Sequence, residues 1–559
     1  MIRKKISSLY VFAIIVLFFS CDSNREKNLK NEHPKIVNIV NFIRDIEPRD
    51  DTITKDTLYE TVVQQLAIMR QYHLKGTFLL QYDALIDPKY QHLFKNVSKD
   101  SIELGAWWEI PQPMVEKAGI KWRGRYAWDW HANVGFATGY TPKEREKLVD
   151  VYMHKFKEVF GDYPQSVASW FIDAHTLNYM YEKYHIVASA NCKDQYGTDG
   201  YTLWGGYWNQ AYYPSKVNSY MPAQHESQQI PVPVFRMLGS DPIRQYDTGL
   251  ESDRQGVITL EPVYPDAGGN QAWVDWYFKA FVEGEPLAFA YTQAGQENSF
   301  IWRQVKKGFQ LQMPLIAKLR DEGKLKVETL AASGKWFKKQ FKTTPATSVT
   351  VTKAIGSSNQ QTVWYNSKYY RANILWENST FRIRDIHVFD ENVKSPYYEK
   401  VLTSNQASFF TLPVVDGYLW SSKTNLAGLR LYGEKNGKQF LINGSIPKVI
   451  KKAEGILEIN WPFTSFKGNL MVELTPTTMT LEVQTPEKMN WFLGLTIDQN
   501  KESQLPFKAI NLHHLQCKFQ ETSYTITSKK GIFLPSKENF IFTIQPENNN
   551  ITIKLATKK

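Results

Sequence analysis

The sequence predicts an α/β fold: a barrel of seven or eight strand–helix units, followed by an all-β domain of sandwich type. Apolar runs and helix-like stretches alternate between residues 35 and 342. The apolar runs are short and rich in β-branched residues, which is typical of strands buried in a parallel sheet. Beyond residue 343 the runs alternate apolar with polar residues and are separated by Asn, Gly, Pro and Lys, which indicates antiparallel strands.

Eight apolar runs are predicted to form the barrel strands, at 36–43, 76–80, 102–108, 166–172, 186–191, 232–237, 257–263 and 287–292. A strong helix signal follows the third run, where Thr141 suits the N-cap, Pro142 the first turn and Glu144 a capping box. In such barrels the active site lies at the carboxyl ends of the strands. The polar stretches 193–229 and 239–255 follow the fifth and sixth strands, so we expect them to form that site.

The C-terminal domain is predicted to cover residues 343–559, with a linker at 344–348. Its predicted strands lie at 381–389, 440–443, 455–460, 478–483, 524–528, 540–544 and 551–555. We expect these strands to form an antiparallel sandwich that supports the barrel or binds glycan.

The first twenty residues have the features of a secretory signal peptide. Basic residues at positions 3–5 precede an apolar run at 9–19. That run is far shorter than the roughly 20 residues of a membrane-spanning helix, and it fits the apolar region of a cleaved signal. The sequence therefore predicts export.

Cys21 follows the small residue Ser20 directly after the apolar run. This order resembles the lipobox of bacterial lipoproteins, in which the cysteine is acylated and becomes the mature N-terminus. The polar residues 21–34 would then form a tether. We expect a protein anchored by lipid to the cell envelope, on its periplasmic or surface face; the alternative is an ordinary signal peptide next to an incidental cysteine.

Composition limits the class of partner. Two further cysteines, Cys192 and Cys517, lie far apart, which excludes a disulfide scaffold. The 17 Trp, 30 Tyr and 31 Phe residues suit sugar binding, because aromatic rings stack on pyranose faces. The net charge of +11 is scattered and allows a polyanionic glycan or an anionic membrane surface as partner. No nucleic-acid motif is present. We expect a poly- or oligosaccharide substrate and membrane contact through the lipid alone; the sequence does not specify the oligomeric state.

Three carboxyl residues follow predicted barrel strands and are the candidate catalytic groups: Glu109, Asp173 and Glu261. Glycoside hydrolysis needs two carboxyl groups on either side of the scissile bond, and one of them must be kept protonated by its surroundings. Glu109 follows two tryptophans that would provide such surroundings. The alternative for each carboxyl is a structural ion pair with a nearby arginine.

Other polar and aromatic residues near the strand ends are expected to bind and orient the substrate: Arg44, Glu47, Trp107, Trp108, Asp129, His131, His175, Asp194, Trp204, Trp208 and Arg236. Amides, charged groups and rings together suit a carbohydrate site. The sequence specifies no cofactor. Asp129, His131 and His175 leave open a site for Zn²⁺ or another divalent metal, although no pair has a diagnostic ligand spacing.

The order of these features resembles the barrel of polysaccharide deacetylases and of glycoside hydrolase families 57 and 38. The acidic end of the first strand, the Glu-Leu-Gly segment at 103–105 and the helix at 141–163 that ends in a Gly-x-x-Pro turn carry this likeness. The segment 169–175, at the end of the fourth strand, and Asp194 occupy the places of two further motifs. Segments 107–113, 129–141, 169–180 and 189–214 are also similar to a lipoprotein family of gut and marine Bacteroidetes.

One departure favours one of the activities that the resemblance implies. Deacetylases bind metal through a His-x-x-x-His pair after the third strand, where this chain has Trp107, Trp108 and Glu109. A metal site would have to be rebuilt from His131 and His175. The sequence therefore favours a glycoside hydrolase with paired carboxylates. A metal-dependent deacetylase and a non-catalytic glycan-binding lipoprotein are the two alternatives.

Overall fold

The computed structural model describes residues 33–356, 359–535 and 539–556. The predicted signal peptide, the lipidation site Cys21 and the tether through residue 32 lie outside the described residues. Among the helices in those ranges, none has the length and apolarity to cross a membrane.

The N-terminal region contains the strands β1 (Lys35–Ile43), β2 (Gly76–Leu80), β3 (Ile102–Trp107), β4 (Ser166–Ala168), β5 (Ala188–Asn191), β6 (Gln195–Thr198), β7 (Tyr201–Trp204), β8 (Ala211–Tyr212), β9 (Pro214–Ser215), β10 (Asn218–Pro222), β11 (Val234–Arg236), β12 (Ala290–Ala294) and β13 (Lys326–Glu328). Its α-helices are α1 (Lys55–Gln71), α2 (Tyr82–Ile86), α3 (Pro88–Lys95), α4 (Gln112–Lys117), α5 (Pro142–Phe160), α6 (Ala174–Tyr184), α7 (Gln271–Glu283), α8 (Ile301–Asp321) and α9 (Leu330–Gln340).

Seven of these strands form a nearly closed parallel barrel. They pair side by side in the order β12-β1-β2-β3-β4-β5-β11, and β8 adds an antiparallel edge to β11. β13 pairs in parallel with the first half of β1. Because all seven strands run the same way, their carboxyl ends lie at one rim. The predicted barrel is confirmed.

Helix α5 begins where the sequence predicts. The Thr141 side chain accepts from the backbone N–H of Glu144, whose carboxylate accepts in return from the N–H of Thr141 at 2.8 Å. The two bonds satisfy N–H groups that have no partner within the helix. Its buried face, which includes Leu148 and Tyr152, packs on the barrel.

The predicted seventh strand at 257–263 is wrong. Among the described residues its one ladder contact is a bridge between Thr259 and Ser240. Pro262 has no N–H to donate, and the N–H of Tyr264 turns back to the carbonyl of Glu261 at 3.3 Å. The segment instead lies against the residues that follow β11.

The C-terminal region is all-β, as predicted. Its strands are β14 (Thr347–Val351), β15 (Gln361–Asn366), β16 (Tyr370–Glu377), β17 (Thr380–Val388), β18 (Ala407–Phe410), β19 (Leu412–Asp416), β20 (Gly428–Lys435), β21 (Lys438–Leu441), β22 (Lys448–Ala453), β23 (Ile456–Pro462), β24 (Asn469–Leu474), β25 (Thr478–Gln484), β26 (Asn490–Thr496), β27 (Phe507–Asn511), β28 (His514–Phe519), β29 (Thr522–Lys530), β30 (Ile532–Pro535), β31 (Phe542–Gln545) and β32 (Asn550–Lys554).

Most of these strands form two antiparallel sheets. One runs β14-β15-β16-β17-β20-β26-β31-β30, with β19 and β21 as side strands, and the other runs β22-β23-β24-β25-β32-β29-β28-β27. Phe381 of the first sheet lies 5.9 Å from Trp461 of the second, measured between ring centroids. On β23, β24 and β25 of the second sheet, every other residue is buried, as expected for one face packed against the first sheet. The domain boundary at residue 342 stays a prediction.

The two regions are joined by more than the chain itself. Strand β18 pairs in parallel with β7, so the hairpin β6–β7 belongs to a mixed sheet with a C-terminal strand. Trp208 stacks face to face on Trp364 with ring centroids 3.7 Å apart. The stretch 201–214, predicted to be a site-forming loop, is therefore mostly buried against the sandwich.

Candidate functional site

A cavity of about 1060 Å³, its open mouth included, lies at the carboxyl ends of the barrel strands. Residues that follow five different strands line it: Arg44 after β1, Glu109 after β3, Trp170 after β4, Lys193 after β5 and Glu297 after β12. The structure thus places the site at the rim where the barrel architecture predicts one.

Glu109 lines this cavity and is held by Arg44. The guanidinium donates to both carboxylate oxygens, each at 2.8 Å, and both side chains are buried. Burial raises the pKa of Glu109, and the charge of Arg44 opposes that shift. A guanidinium that binds both oxygens of a carboxylate forms a strong pair of fixed geometry. The ion-pair alternative for Glu109 is therefore what the structure shows.

Arg44 is the centre of a larger buried cluster. Its Nη1 lies 2.7 Å from Glu297 and 3.6 Å from Glu47, and Glu47 in turn receives two bonds from Arg49 at 2.7 and 2.6 Å. The guanidinium carbon of Arg44 lies 4.3 Å from the ring centroid of Trp128. Burial alone would lower the pKa of Arg44, but the surrounding carboxylates raise it, so the guanidinium stays charged. The cluster forms a rigid wall of the cavity.

Glu261 lies in the same cavity, and no arginine in the described part of the chain pairs with it. Its oxygens accept from the Thr259 hydroxyl at 2.7 Å and from the Gln296 amide at 3.1 Å. Burial raises the pKa of Glu261; Thr259, Gln296 and Lys193 oppose that shift, while Glu297 adds to it. A buried carboxyl with neutral hydrogen-bond partners can keep its proton, as a general acid must.

Asp199 is another carboxyl that lines the cavity, although it is more exposed than Glu261, and sequence reasoning missed it. It lies at the tip of the β6–β7 hairpin, where Asp199 and Gly200 have φ values of 54° and 81°. Burial raises the pKa of Asp199, and Glu297 adds to the shift. The signal was present in the sequence, because an Asp-Gly pair between two alternating runs is typical of a two-residue hairpin turn.

Lys193 was also not predicted as a site residue. It follows β5, is 1% exposed, and its ammonium donates to the backbone carbonyl of Asp194 at 3.1 Å. Burial lowers the pKa of Lys193. Its charge acts on Glu261 and on Asp199, since it lowers the pKa of both.

Aromatic side chains complete the wall: Trp128, Trp130, Phe136, Trp170, Tyr201, Tyr264 and Phe300. Of the four tryptophans predicted to shape subsites, none is among the lining residues. Trp107 lies behind the wall, stacked on Phe42 with ring centroids 4.2 Å apart, and Trp108 packs edge-on against Tyr152 in the core. A ring next to a strand end can face the core as easily as the rim, and the sequence does not distinguish the two.

Asp173 is not brought to the cavity. It is the N-cap of α6, where it accepts from the N–H of Thr176 at 2.9 Å and from its hydroxyl at 2.6 Å. Arg145 donates to the same carboxylate at 2.9 Å, and both side chains are buried. These contacts give Asp173 a structural role and correct the expectation that it meets Glu109 and Glu261.

The three residues considered for a metal do not come together at one place, because His175 lies apart from Asp129 and His131. Asp129 is bound by Arg125 at 2.9 and 2.8 Å; burial opposes ionisation, but these bonds lower the pKa of Asp129 to about 2. His131 Nδ1 lies 3.7 Å from Asp129, whereas His175 pairs with Glu146 at 3.0 Å on the outer helices. Within the described part of the chain, no three His, Cys, Asp or Glu side chains are grouped to hold a metal. The donor set does not fit Zn²⁺.

Asp194 and Arg236 are buried beneath the cavity instead of facing it. Arg236 donates to Asp194 at 2.6 Å, and Arg371 of the sandwich binds the other carboxylate oxygen. Burial opposes ionisation of Asp194, but the two arginines lower its pKa. Trp204 donates to Asp416 of the sandwich at 2.8 Å. These residues, predicted to bind substrate, connect the barrel to the C-terminal region.

Comparisons with known proteins agree with the fold. Residues 126–284 match the model of DUF3863, a domain of unknown function. No curated protein matches the sequence. A Parabacteroides distasonis structure described as a "putative glycoside hydrolase/deacetylase" is similar at 16% identity and a TM-score of 0.50, over 68% of this chain and 91% of that one.

A Mycobacterium smegmatis structure described as a "putative polysaccharide deacetylase" matches at 10% identity and a TM-score of 0.34, over 56% of this chain and 92% of that one. At the identity of the Parabacteroides match the likeness concerns the fold, and the chain has a barrel of the glycoside hydrolase/deacetylase type.

Proposed function

We propose that this chain is a glycoside hydrolase that acts on a poly- or oligosaccharide. The observation that carries the proposal is the environment of Glu261. This carboxyl lines a cavity at the barrel rim, has a raised pKa and receives hydrogen bonds from neutral groups only, among the residues described. Those are the properties of a general acid that protonates a leaving-group oxygen.

Asp199 is the proposed partner of Glu261 in this mechanism. Both carboxyls line the cavity, and both have a raised pKa. Glu261 is the more enclosed and keeps the proton. Asp199 is influenced by Arg49, Arg44 and Lys193, which favour its ionised form. In the ionised form it acts on the sugar carbon, either directly or through a water molecule.

In this mechanism the Arg44 cluster does not exchange protons. It holds the side chains of Glu109 and Glu297 in place, and the charge of Glu297 raises the pKa of Glu261. The tryptophan rings of the wall would stack on sugar faces. The mechanism involves no metal, because Asp129, His131 and His175 do not form a ligand set.

The proposal includes export and lipid anchoring at Cys21. It is supported by the basic residues at 3–5, the apolar run at 9–19 and the Ser20–Cys21 pair. An extracytoplasmic position agrees with a polymeric substrate. Metabolic labelling with a fatty acid, compared between the natural chain and Cys21→Ser, tests this part separately.

The test of the activity uses the purified full chain and a panel of oligosaccharides, with release of reducing ends and of acetate measured in parallel. We expect reducing ends to appear, and Glu261→Gln and Asp199→Asn each to lower kcat/KM by about 10²–10⁴-fold. Glu328→Gln is the matched control, since Glu328 pairs with Lys75 outside the cavity.

Two outcomes would contradict the proposal. Acetate release without new reducing ends would indicate a deacetylase. Glycan binding that persists in Glu261→Gln and Asp199→Asn, with no product from any member of the panel, would indicate a non-catalytic binding protein.

A further inference from the structure

The cations that line the cavity fall into two groups. Arg44 forms ion pairs with Glu109 and Glu297, and Arg49 forms one with Glu47. Lys193 and Arg254 also line the cavity. Neither has a carboxylate within 4 Å in the described ranges, so their charges are not neutralised by a direct ion pair.

Lys193 is the more unusual of the two. An ammonium group carries three donors, and among the described residues the acceptor found for Lys193 is the carbonyl of Asp194. The carboxylate of Asp194 is not available to it, because Arg236, Arg371 and Tyr220 surround that group. A buried charge without a counterion is costly, and that cost is relieved when a ligand brings the negative charge.

Arg254 is exposed, but the backbone on either side of it is fixed. The N–H of Gln255 donates to the carbonyl of Tyr196 at 2.8 Å, and the Gln255 amide bonds to the carbonyl of Gln245 at 2.9 Å. The backbone at Asp253 packs closely on Gly197, because a Cβ atom added to Gly197 would lie 2.1 Å from the carbonyl oxygen of Asp253. The guanidinium is thus presented from a segment packed against the hairpin that carries Asp199.

We propose that the substrate is an anionic glycan, whose carboxylate or sulfate group is bound by Lys193 and Arg254. Both groups are oxyanions, which a guanidinium binds through two parallel bonds and an ammonium binds as a point charge. The inference rests on the proposed function, since it names the substrate class of the same cavity. The alternative is that Lys193 does not bind the substrate and only lowers the pKa of Glu261 and Asp199. The experiment must distinguish these two roles.

The experiment measures binding to the full chain by calorimetry at constant ionic strength, with glucuronate, glucose 6-sulfate and glucose as probes. We expect one of the two anionic sugars to bind at least tenfold more tightly than glucose; which of them does so identifies the anion. Lys193→Met and Arg254→Gln should each lower that preference at least tenfold. Lys335→Met, which removes an exposed cation outside the cavity, should leave it unchanged.

Equal binding of glucose and both anionic sugars would overturn the inference, as would a preference that survives both variants. Failure of the proposed function is distinguishable from this, because binding does not require turnover. A chain that prefers the anionic probes but hydrolyses no glycoside contradicts the hydrolase proposal alone. A chain that hydrolyses neutral glycosides and shows no anion preference contradicts the inference alone.

Discussion

Arg44 and Glu109 form a buried pair with two hydrogen bonds of 2.8 Å, although they are 65 positions apart in the chain. Arg44 follows β1 and Glu109 follows β3, so the pair spans the intervening strand β2 at the barrel rim. Sequence reasoning gave Glu109 a catalytic role and Arg44 a substrate-binding role. Since each side chain provides the hydrogen-bond partners of the other, the pair stabilises one wall of the cavity.

We therefore expect Glu109→Gln to destabilise the fold. The change leaves the Arg44 guanidinium facing a neutral amide, and removing one partner of a buried pair destabilises by about 3–5 kcal/mol. Urea unfolding of the full chain measures the effect. Glu261→Gln is the comparison, because the partners of Glu261 are neutral, and it should change the unfolding free energy by less than about 1.5 kcal/mol. Equal destabilisation by the two variants would contradict the distinction drawn between these carboxyls.

The pH dependence of activity provides a second test. If protonated Glu261 is the acid, kcat/KM falls as pH rises through its pKa, which burial places above the ordinary glutamate value. The charge of Lys193 lowers this pKa, so Lys193→Met should move the alkaline limb to higher pH. The charge of Glu297 raises it, so Glu297→Gln should move the limb to lower pH. If the alkaline limb does not shift in either variant, or shifts in the same direction in both, a group other than Glu261 is the acid.

Much of the barrel could be predicted, because its strands are apolar runs bounded by turn residues. Strand β2 was predicted at its observed bounds and β1 within one residue. The failure at 257–263 has a local cause, since an apolar run with Pro262 in it cannot complete a ladder. A run of apolar residues in the sequence indicates that the segment is buried. Burial alone does not distinguish a strand from a packed irregular segment.

The site was less predictable, because it depends on which side chain meets which. Glu109 and Glu261 both line the cavity, but a catalytic role for either stays a prediction. The sequence does not show that Arg44 forms an ion pair with Glu109. It also does not show that Asp173 is an N-cap residue that pairs with Arg145. Trp208 was expected at a subsite and lies on Trp364, a residue from the other region of the chain.

Asp173 provides a third prediction, which separates structure from catalysis. Asp173→Asn keeps one acceptor for the helix but removes the charge that faces Arg145. We expect a loss of about 3–5 kcal/mol in the free energy of unfolding, with kcat/KM per folded molecule changed less than threefold. Asp162→Asn, at an exposed position, is the control. If turnover is lost while the free energy of unfolding is unchanged, Asp173 has a catalytic role.

The last prediction concerns the C-terminal region and Asp199. The N–H of Ala407 in β18 donates to the carbonyl of Gly200 at 3.0 Å, directly beside Asp199 in the hairpin turn. Ala407→Pro removes that donor and should let the turn shift. Because a displacement of about 1 Å can reduce turnover about a hundredfold, we expect kcat/KM to fall at least tenfold while the main unfolding transition is nearly unchanged. Gln406→Ala, on the neighbouring exposed position, is the control.

Kinetics and amide hydrogen exchange should be measured together on the Ala407→Pro chain. Faster exchange limited to residues 195–204, with lower activity, would mean that the sandwich holds a catalytic carboxyl in place. The region after residue 343 would then be part of the active site as well as a support for the barrel. Normal turnover in a chain whose hairpin exchanges freely would instead remove Asp199 from the proposed mechanism, because a carboxyl that acts on the sugar carbon must be held within a fraction of an ångström.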